Sequence, residues 1–85
     1  MAAMREKLEA GFTPSELNIE DQSHLHAGHA GAKSGKGHFA LKIVSASFEG
    51  QTLIQRHRAI YAALGELMES EIHALSINAL GPSEN

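Results

Sequence analysis

Residues 38–48 read HFALKIVSASF, and this stretch decides the fold. Phe39, Leu41 and Ile43 alternate with smaller or polar residues, among them Lys42. Successive side chains of a β-strand point to opposite faces of a sheet. The pattern therefore predicts a strand over residues 38–48 with one buried face and one partly solvated face.

After this strand, Glu49-Gly50 indicates a turn, and residues 52–69 carry apolar side chains at helical spacing. Gly65 lies where it would divide this helix into a long and a short piece. The predicted apolar stripe consists of Leu53, His57, Ile60, Tyr61, Leu64 and Met68.

The chain is then predicted to return as a last strand over residues 72–79, IHALSINA. The alternation places His73, Leu75 and Ile77 on one face of that strand. Pro82 is expected to end the ordered region, with residues 82–85 as a frayed tail.

Before the strand at 38–48 lies a glycine- and histidine-rich segment, residues 22–37. It is longer than an ordinary hairpin connection and holds little that can pack, so we predict a flexible loop. Residues 15–21 alternate as a short strand, and residues 1–12 repeat Met4, Leu8 and Phe12 at helical spacing.

The resulting order is helix, strand, strand, divided helix, strand, in one domain over residues 1–85. The first two strands can pair antiparallel, whereas a helix joining the last two favours a right-handed crossover and parallel pairing. We therefore predict an α+β fold in which helices cover one face of a three-stranded mixed sheet.

The composition excludes several classes of function. The chain has 85 residues, no cysteine and a formal net charge of −3. Without cysteine there can be no disulfide, thiolate zinc site or cysteine nucleophile in this sequence. The negative charge argues against nucleic acid as the main partner. Because no catalytic triad or carboxylate pair is recognisable, we predict that the protein is not an enzyme.

The expected compartment is the cytoplasm. No run of about 18 apolar residues is present to span a membrane. Charged residues interrupt any apolar segment near the N-terminus, which argues against a signal peptide; they are Arg5, Glu6, Lys7 and Glu9.

Six histidines are the most unusual feature of the composition. Parallel neighbouring strands start at the same edge of a sheet, so His73 is expected near His38 and near the preceding loop, which carries His24, His26 and His29. Neutral imidazole is a common ligand of transition metals. Two histidines are too few for a closed zinc site, so a loop histidine or a partner would have to complete the shell. Alternatively, the loop histidines are solvated, and His57 and His73 have structural roles.

Arg56-His57-Arg58 and the loop residues Lys33 and Lys36 form a candidate surface for a partner or a nucleic acid. The alternative is a solvated helix face whose arginines pair with nearby acids such as Glu49. Residues 31–37 resemble a phosphate-binding loop, but a glycine follows Lys36 where that motif needs Ser or Thr. Residues 28–31 match the GxxG of a KH nucleic-acid clamp, a weak match between two strands.

Taken in order, several stretches closely resemble the BolA-like proteins. The resemblance covers residues 4–82 and rests on residues 26–31 (HAGHAG), 38–39 (HF), 43–45 (IVS), 48–50 (FEG), 55–58 (QRHR), 60–61 (IY) and 72–77 (IHALSI). It implies a class II KH-like fold, αββααβ. It also implies a non-enzymatic adaptor that binds a monothiol glutaredoxin and shares a [2Fe–2S] cluster with it, for iron–sulfur trafficking or iron regulation.

The same resemblance implies the ligands. The glutaredoxin supplies a cysteine and a bound glutathione, and the BolA-like protein supplies a histidine of the last strand and a loop residue. These positions fall on His73 and His29, with His26 and His24 as alternates. Imidazole in place of thiolate raises the reduction potential of a cluster.

Two other functions stay open at this point. BolA-like proteins are also associated with DNA-binding transcriptional regulation of stress and cell shape, which Lys33, Lys36, Lys42, Arg56 and Arg58 would have to support. The third possibility is a histidine metal site, for zinc or nickel, that needs no partner.

Overall fold

The computed structural model describes residues 2–22 and 37–85. Their helices and strands are α1 (Ala2–Phe12), β1 (Glu16–Asp21), β2 (Gly37–Val44), α2 (Leu53–Leu64), α3 (Leu67–Ser70) and β3 (Ile72–Leu80). Two short 3₁₀ helices, Ala46–Phe48 and Pro82–Glu84, follow β2 and β3. The order αββααβ agrees with the prediction.

The three strands form one sheet in the order β1-β2-β3. β1 pairs antiparallel with β2, and β2 pairs parallel with β3, so both predicted pairings are confirmed. The register aligns apolar side chains in rows across one face, namely Leu17–Ile43–Ala79, Ile19–Leu41–Ile77 and Phe39–Leu75. The strands alone thus create one continuous apolar surface, which needs a cover.

The helices cover that surface and leave the other face of the sheet polar. The core combines helix residues with strand residues, and its helical members are Met4, Leu8, Ile60, Leu64 and Leu67. The uncovered face presents Asn18, Glu20, Ala40, Lys42, Ser76 and Asn78. The predicted mixed sheet with helices on one face is confirmed. In the two described ranges, no helix has the length and apolar character needed to cross a membrane.

The strand predicted over residues 38–48 ends earlier, at Val44. The buried Ser45 hydroxyl donates to the carbonyl oxygen of Phe12 at 2.6 Å and accepts from the N–H of Ser47 at 3.1 Å. This capping starts a 3₁₀ turn that places Phe48 in the core, with its ring centroid 5.0 Å from that of Phe12. The sequence prediction was wrong here because alternation does not distinguish a strand from such a turn.

Helix α2 begins after Thr52, which forms a capping box with Gln55, and ends at Gly65, whose φ is +53°. Gly65 therefore divides the helix as predicted. The predicted apolar stripe was partly wrong, since Leu53 is 66% exposed and Tyr61 is 42% exposed. Arg56 is buried instead, together with Ile60 and Leu64. The helix is rotated relative to the prediction because the Arg56 side chain has hydrogen-bond partners inside the protein.

The C-terminal residues are held in place, whereas the sequence predicted that they fray. The Glu84 carboxylate accepts from the N–H of Gly81 at 2.8 Å. Glu49 accepts from the backbone N–H and the hydroxyl of Ser83, at 2.8 and 2.9 Å. Glu49 thus fixes the turn Pro82–Glu84 against the body of the domain, and Glu84 closes the turn onto Gly81, the residue before it.

Candidate functional site

An irregularity at the start of β3 determines where His73 points. Gly37 pairs with Ile72 and the next residue, His38, pairs with Ala74, so β3 contains one extra residue at this point. Such a bulge changes the face to which side chains point. Ile72 is buried and His73 is exposed. The prediction that His73 shares a face with Leu75 and Ile77 was therefore wrong.

His38 and His73 come together at this edge. Their ring centroids lie 5.0 Å apart with an interplanar angle of 56°. His38 is only 9% exposed, whereas His73 is open to solvent. The prediction that parallel strands bring these two histidines to one edge is confirmed. Sequence reasoning treated His38 only as the start of a strand, although the parallel register was a signal that it would be the neighbour of His73.

The remaining candidate ligands and two of the candidate cations lie outside the described residues. They are His24, His26, His29, Lys33 and Lys36, and the GxxG and phosphate-loop-like segments lie there too. Within residues 2–22 and 37–85, no three His, Asp or Glu side chains are grouped to hold a metal ion. The described edge therefore offers an exposed imidazole with a buried one beside it, and a metal bound there would need further ligands.

Arg56 does not belong to an exposed basic surface, which corrects the prediction for this residue. It is 5% exposed. One guanidinium nitrogen donates to the carbonyl oxygen of Ala79 at 2.9 Å, and the other forms an ion pair with Glu84 at 2.8 Å. The acid suggested from the sequence, Glu49, bonds to Ser83 instead. Arg56 thus links α2 to β3 and to the C-terminal turn.

Of the other predicted cationic residues that are described, His57 is half-buried and Arg58 is exposed. Lys42 forms an ion pair with Glu16 at 3.0 Å on the polar face of the sheet. Among the described candidates, Arg58 is therefore the exposed cation, and Arg56 does not contribute to a basic surface.

The pKa of Glu84 lies below its ordinary value of 4.5, because the carboxylate accepts from the N–H of Gly81 and from Arg56. A carboxyl group whose pKa is lowered by folding stabilises the fold fully above its unfolded pKa, and this contribution is lost as the pH falls through the folded value. We expect Glu84→Gln to unfold more easily than the wild type at pH 7. The difference should shrink as the pH falls below 4.5.

Urea denaturation between pH 7 and pH 3 measures this effect. Glu6→Gln on the exposed face of α1 is the matched control and should show no such convergence. A difference between wild type and Glu84→Gln that is the same at every pH would contradict the role of the Glu84 charge.

A sequence profile described as BolA-like protein matches residues 8–84, nearly the whole of this domain. The chain belongs to the BolA-like family. Residues 38–84, which contain the histidine pair and the Arg56–Glu84 ion pair, all lie within the matched segment.

Two BolA-like relatives from Arabidopsis thaliana are similar in both sequence and structure. "Protein BOLA1, chloroplastic" is 51% identical over 96% of this chain and 53% of its own length. "SufE-like protein 1, chloroplastic/mitochondrial" is 48% identical over 95% of this chain and 23% of its own length. The chain thus spans about half the length of the first relative and about a quarter of the second.

Solved BolA domains confirm the fold. The BolA domain of SufE1 from Arabidopsis thaliana superimposes with a TM-score of 0.87 at 48% identity, covering 99% of this chain and 93% of that domain. BolA1 from the same plant gives 0.85 at 49% identity with the same coverage.

A third relative, from Haemophilus influenzae, is named "DNA-binding transcriptional regulator BolA" and is 40% identical over 95% of this chain. The family is of a regulatory or adaptor type and is not a known enzyme family.

Proposed function

We propose that this BolA-like domain is a non-enzymatic adaptor that binds a monothiol glutaredoxin and co-ligates a [2Fe–2S] cluster through His73. One observation carries the proposal. The β3 bulge turns His73 out to solvent beside His38, at an edge where the described residues provide no third metal ligand. An exposed imidazole in an incomplete ligand set suits a cluster that is shared with another protein. The function is iron–sulfur trafficking or iron regulation.

The donor set fits such a cluster. Histidine can replace cysteine on one iron of a [2Fe–2S] cluster, which raises the reduction potential. This chain has no cysteine, so thiolate ligands must come from outside it. We propose that the glutaredoxin contributes its cysteine and a bound glutathione. His29 is the second ligand from this chain that we propose, with His26 and His24 as alternates.

The described residues would orient His73 in this site. The buried side chain of Ile72 anchors the start of β3 in the core, and the N–H of Gly37 donates to the carbonyl oxygen of Glu71 at 2.9 Å. The His38 ring lies against the His73 ring and limits its movement. Preorganisation of this kind lowers the entropy cost of metal binding, because the ligand is already held near its working position.

The proposal can be tested by mixing the protein with a monothiol glutaredoxin, glutathione, iron and sulfide. We expect visible absorption and circular-dichroism spectra that differ from those of the cluster held by glutaredoxin alone. His29→Ala, His26→Ala and His24→Ala, each measured in the same mixture, identify the loop ligand as the variant that changes the spectrum most. A mixture whose spectrum equals that of glutaredoxin alone would contradict the proposal.

DNA-binding regulation is a second candidate, favoured by the name of the Haemophilus influenzae relative. The burial of Arg56 and the pairing of Lys42 with Glu16 weaken it. Fluorescence anisotropy with duplex DNA distinguishes the two candidates, because phosphate binding falls steeply as salt is raised. Tight, salt-dependent binding by the isolated protein would favour regulation.

The cytoplasm stays the compartment that we predict for this protein.

A further inference from the structure

Strand β3 lies at an edge of the sheet, and half of its backbone groups face away from β2. The N–H of Ser45 donates to the carbonyl oxygen of Leu80 at 3.0 Å, so the backbone of Leu80 faces β2. Backbone groups alternate in direction along a strand. Those of Leu75, Ile77 and Ala79 therefore face outward, away from the sheet.

The end of this outer edge is already covered. Arg56 donates to the carbonyl oxygen of Ala79, which is one of the outward groups. Among the described residues, the hydrogen bonds outside the sheet engage neither Leu75 nor Ile77. Within residues 2–22 and 37–85, an open edge therefore runs from the exposed His73 to Ile77, and Arg56 limits it at Ala79.

Helix α2 contacts β3 through Arg56, and its exposed side lies away from α1. Ala63 faces α1, because a Cβ built on Gly11 would lie 3.6 Å from the Ala63 Cβ. Residues advance about 100° around a helix, so Tyr61 lies about 160° from Ala63, on the side away from α1. Tyr61 is 42% exposed on that side, and Ile54, about 180° from Ala63 around the helix, is 63% exposed.

Helix α2 runs antiparallel to β3, since Arg56 near its start reaches Ala79 near the end of the strand. Tyr61 lies about 7.5 Å further along the helix axis. At about 3.3 Å per residue on β3, this is level with Ile77 and the residues before it. Tyr61 is thus the large exposed apolar side chain of α2 that lies at the level of the open backbone groups.

An extended polypeptide has the matching chemistry. A second strand can form hydrogen bonds with a row of alternating N–H and C=O groups. The side chains of that second strand can pack against apolar side chains that lie beside the row. Residues 72–80 contain no charged side chain and no proline, the features that commonly protect an edge from pairing. The charge balance does not favour a polyanion, because Arg58 is the one exposed cation on α2.

The size of the surface favours a transient partner over a permanent dimer. A stable interface buries about 800 Å² on each partner. The open edge spans five residues, from His73 to Ile77, and one large exposed apolar side chain, Tyr61, lies at its level, far fewer than the roughly 20–30 residues that each side of such an interface contributes.

We infer that the edge of β3 from His73 to Ile77 pairs with an extended, uncharged segment of the partner protein, which packs against Tyr61. The inference rests on the proposed function, since the partner is the protein that shares the site at His73. Docking at this edge places a partner segment directly beside the exposed imidazole.

Amide hydrogen exchange, measured by NMR with a monothiol glutaredoxin as the probe and without iron or sulfide, tests the inference. The outward amides of Leu75 and Ile77 should exchange quickly in the free protein and about 10-fold or more slowly in the complex. The amides of Ser76 and Asn78 face β2 and serve as internal controls. They should be protected in both states.

A matched pair of variants adds a second measurement. Ile77→Pro removes an outward N–H without removing a bond to β2, and proline is tolerated on an edge strand in that orientation. Ile77→Ala removes the same side chain and keeps the N–H. We expect at least about 10-fold weaker binding for Ile77→Pro than for Ile77→Ala, with both folded by circular dichroism.

The outcomes separate this inference from the proposed function. A complex in which Leu75 and Ile77 exchange as in the free protein would overturn the docking edge and leave the shared cluster in place. Equal binding by the two Ile77 variants would overturn it as well. Absence of any complex, with or without iron and sulfide, would overturn both proposals.

Discussion

Replacing His73 by alanine is expected to remove the spectral features that distinguish the mixed cluster from a cluster held by glutaredoxin alone. His73 is exposed, so its loss creates no cavity, and surface substitutions usually change the free energy of unfolding by no more than about 0.5 kcal/mol. The variant should therefore remain folded. Even outer-shell partners of a metal ligand contribute about 10–100-fold to affinity, so loss of a direct ligand should weaken cluster retention by about 100-fold or more.

His57→Ala is the matched control for this experiment. His57 is a half-buried histidine on α2, away from the paired strand starts, and its loss should leave the mixed spectrum unchanged. His38→Ala reports on the neighbouring ring, and we expect a broadened rather than absent signature because the His73 side chain becomes less restricted. A His73→Ala spectrum identical to that of the wild type would rule out His73 as a ligand.

Replacing Arg56 by alanine is expected to destabilise the fold by roughly 2–3 kcal/mol. The substitution removes a buried aliphatic stem and leaves the carbonyl oxygen of Ala79 without its donor, and burial of an unsatisfied polar group costs about 1–3 kcal/mol. Loss of the Glu84 ion pair should also release the C-terminal turn. For a domain of this size, the midpoint of thermal unfolding should fall by about 10–20 °C.

Two further variants separate the contributions of Arg56. Arg56→Met keeps most of the buried stem and loses the bonds, so its stability should lie between those of the wild type and Arg56→Ala. Arg58→Ala, which removes the exposed arginine of the same turn, should change the unfolding free energy by less than about 0.5 kcal/mol. Equal losses for Arg56→Ala and Arg58→Ala would show that Arg56 is a surface residue after all.

The strands and their pairing could be predicted because two local signals agree. Phe39, Leu41 and Ile43 alternate, and the helix between β2 and β3 favours a crossover connection. From these two signals followed the parallel pairing and the shared edge of His38 and His73. The division of the helix at Gly65 was also predictable, because glycine adopts a positive φ without strain.

The candidate site was predicted only in part. The edge was correct, but the outward direction of His73 depends on a bulge, which adds one residue without leaving a pattern in the sequence. The direction of Arg56 was missed for a similar reason. An arginine between apolar helix positions is ordinarily assigned to the surface, and its burial depends on Ala79 and Glu84, which lie more than 20 residues away.

The sequence by itself determined the αββααβ order, the mixed sheet, the absence of cysteine ligands and the meeting of two histidines at one edge. Hydrophobic periodicity and chain connectivity encode these features locally, so they can be read without a structure. Tertiary structure alone decided that His73 faces solvent beside a buried His38 and that Arg56 links α2 to β3. It also decided that no other described strand pairs with the outer edge of β3 from His73 to Ile77. Each of these depends on the register between strands or on contacts between distant residues, which no local pattern specifies.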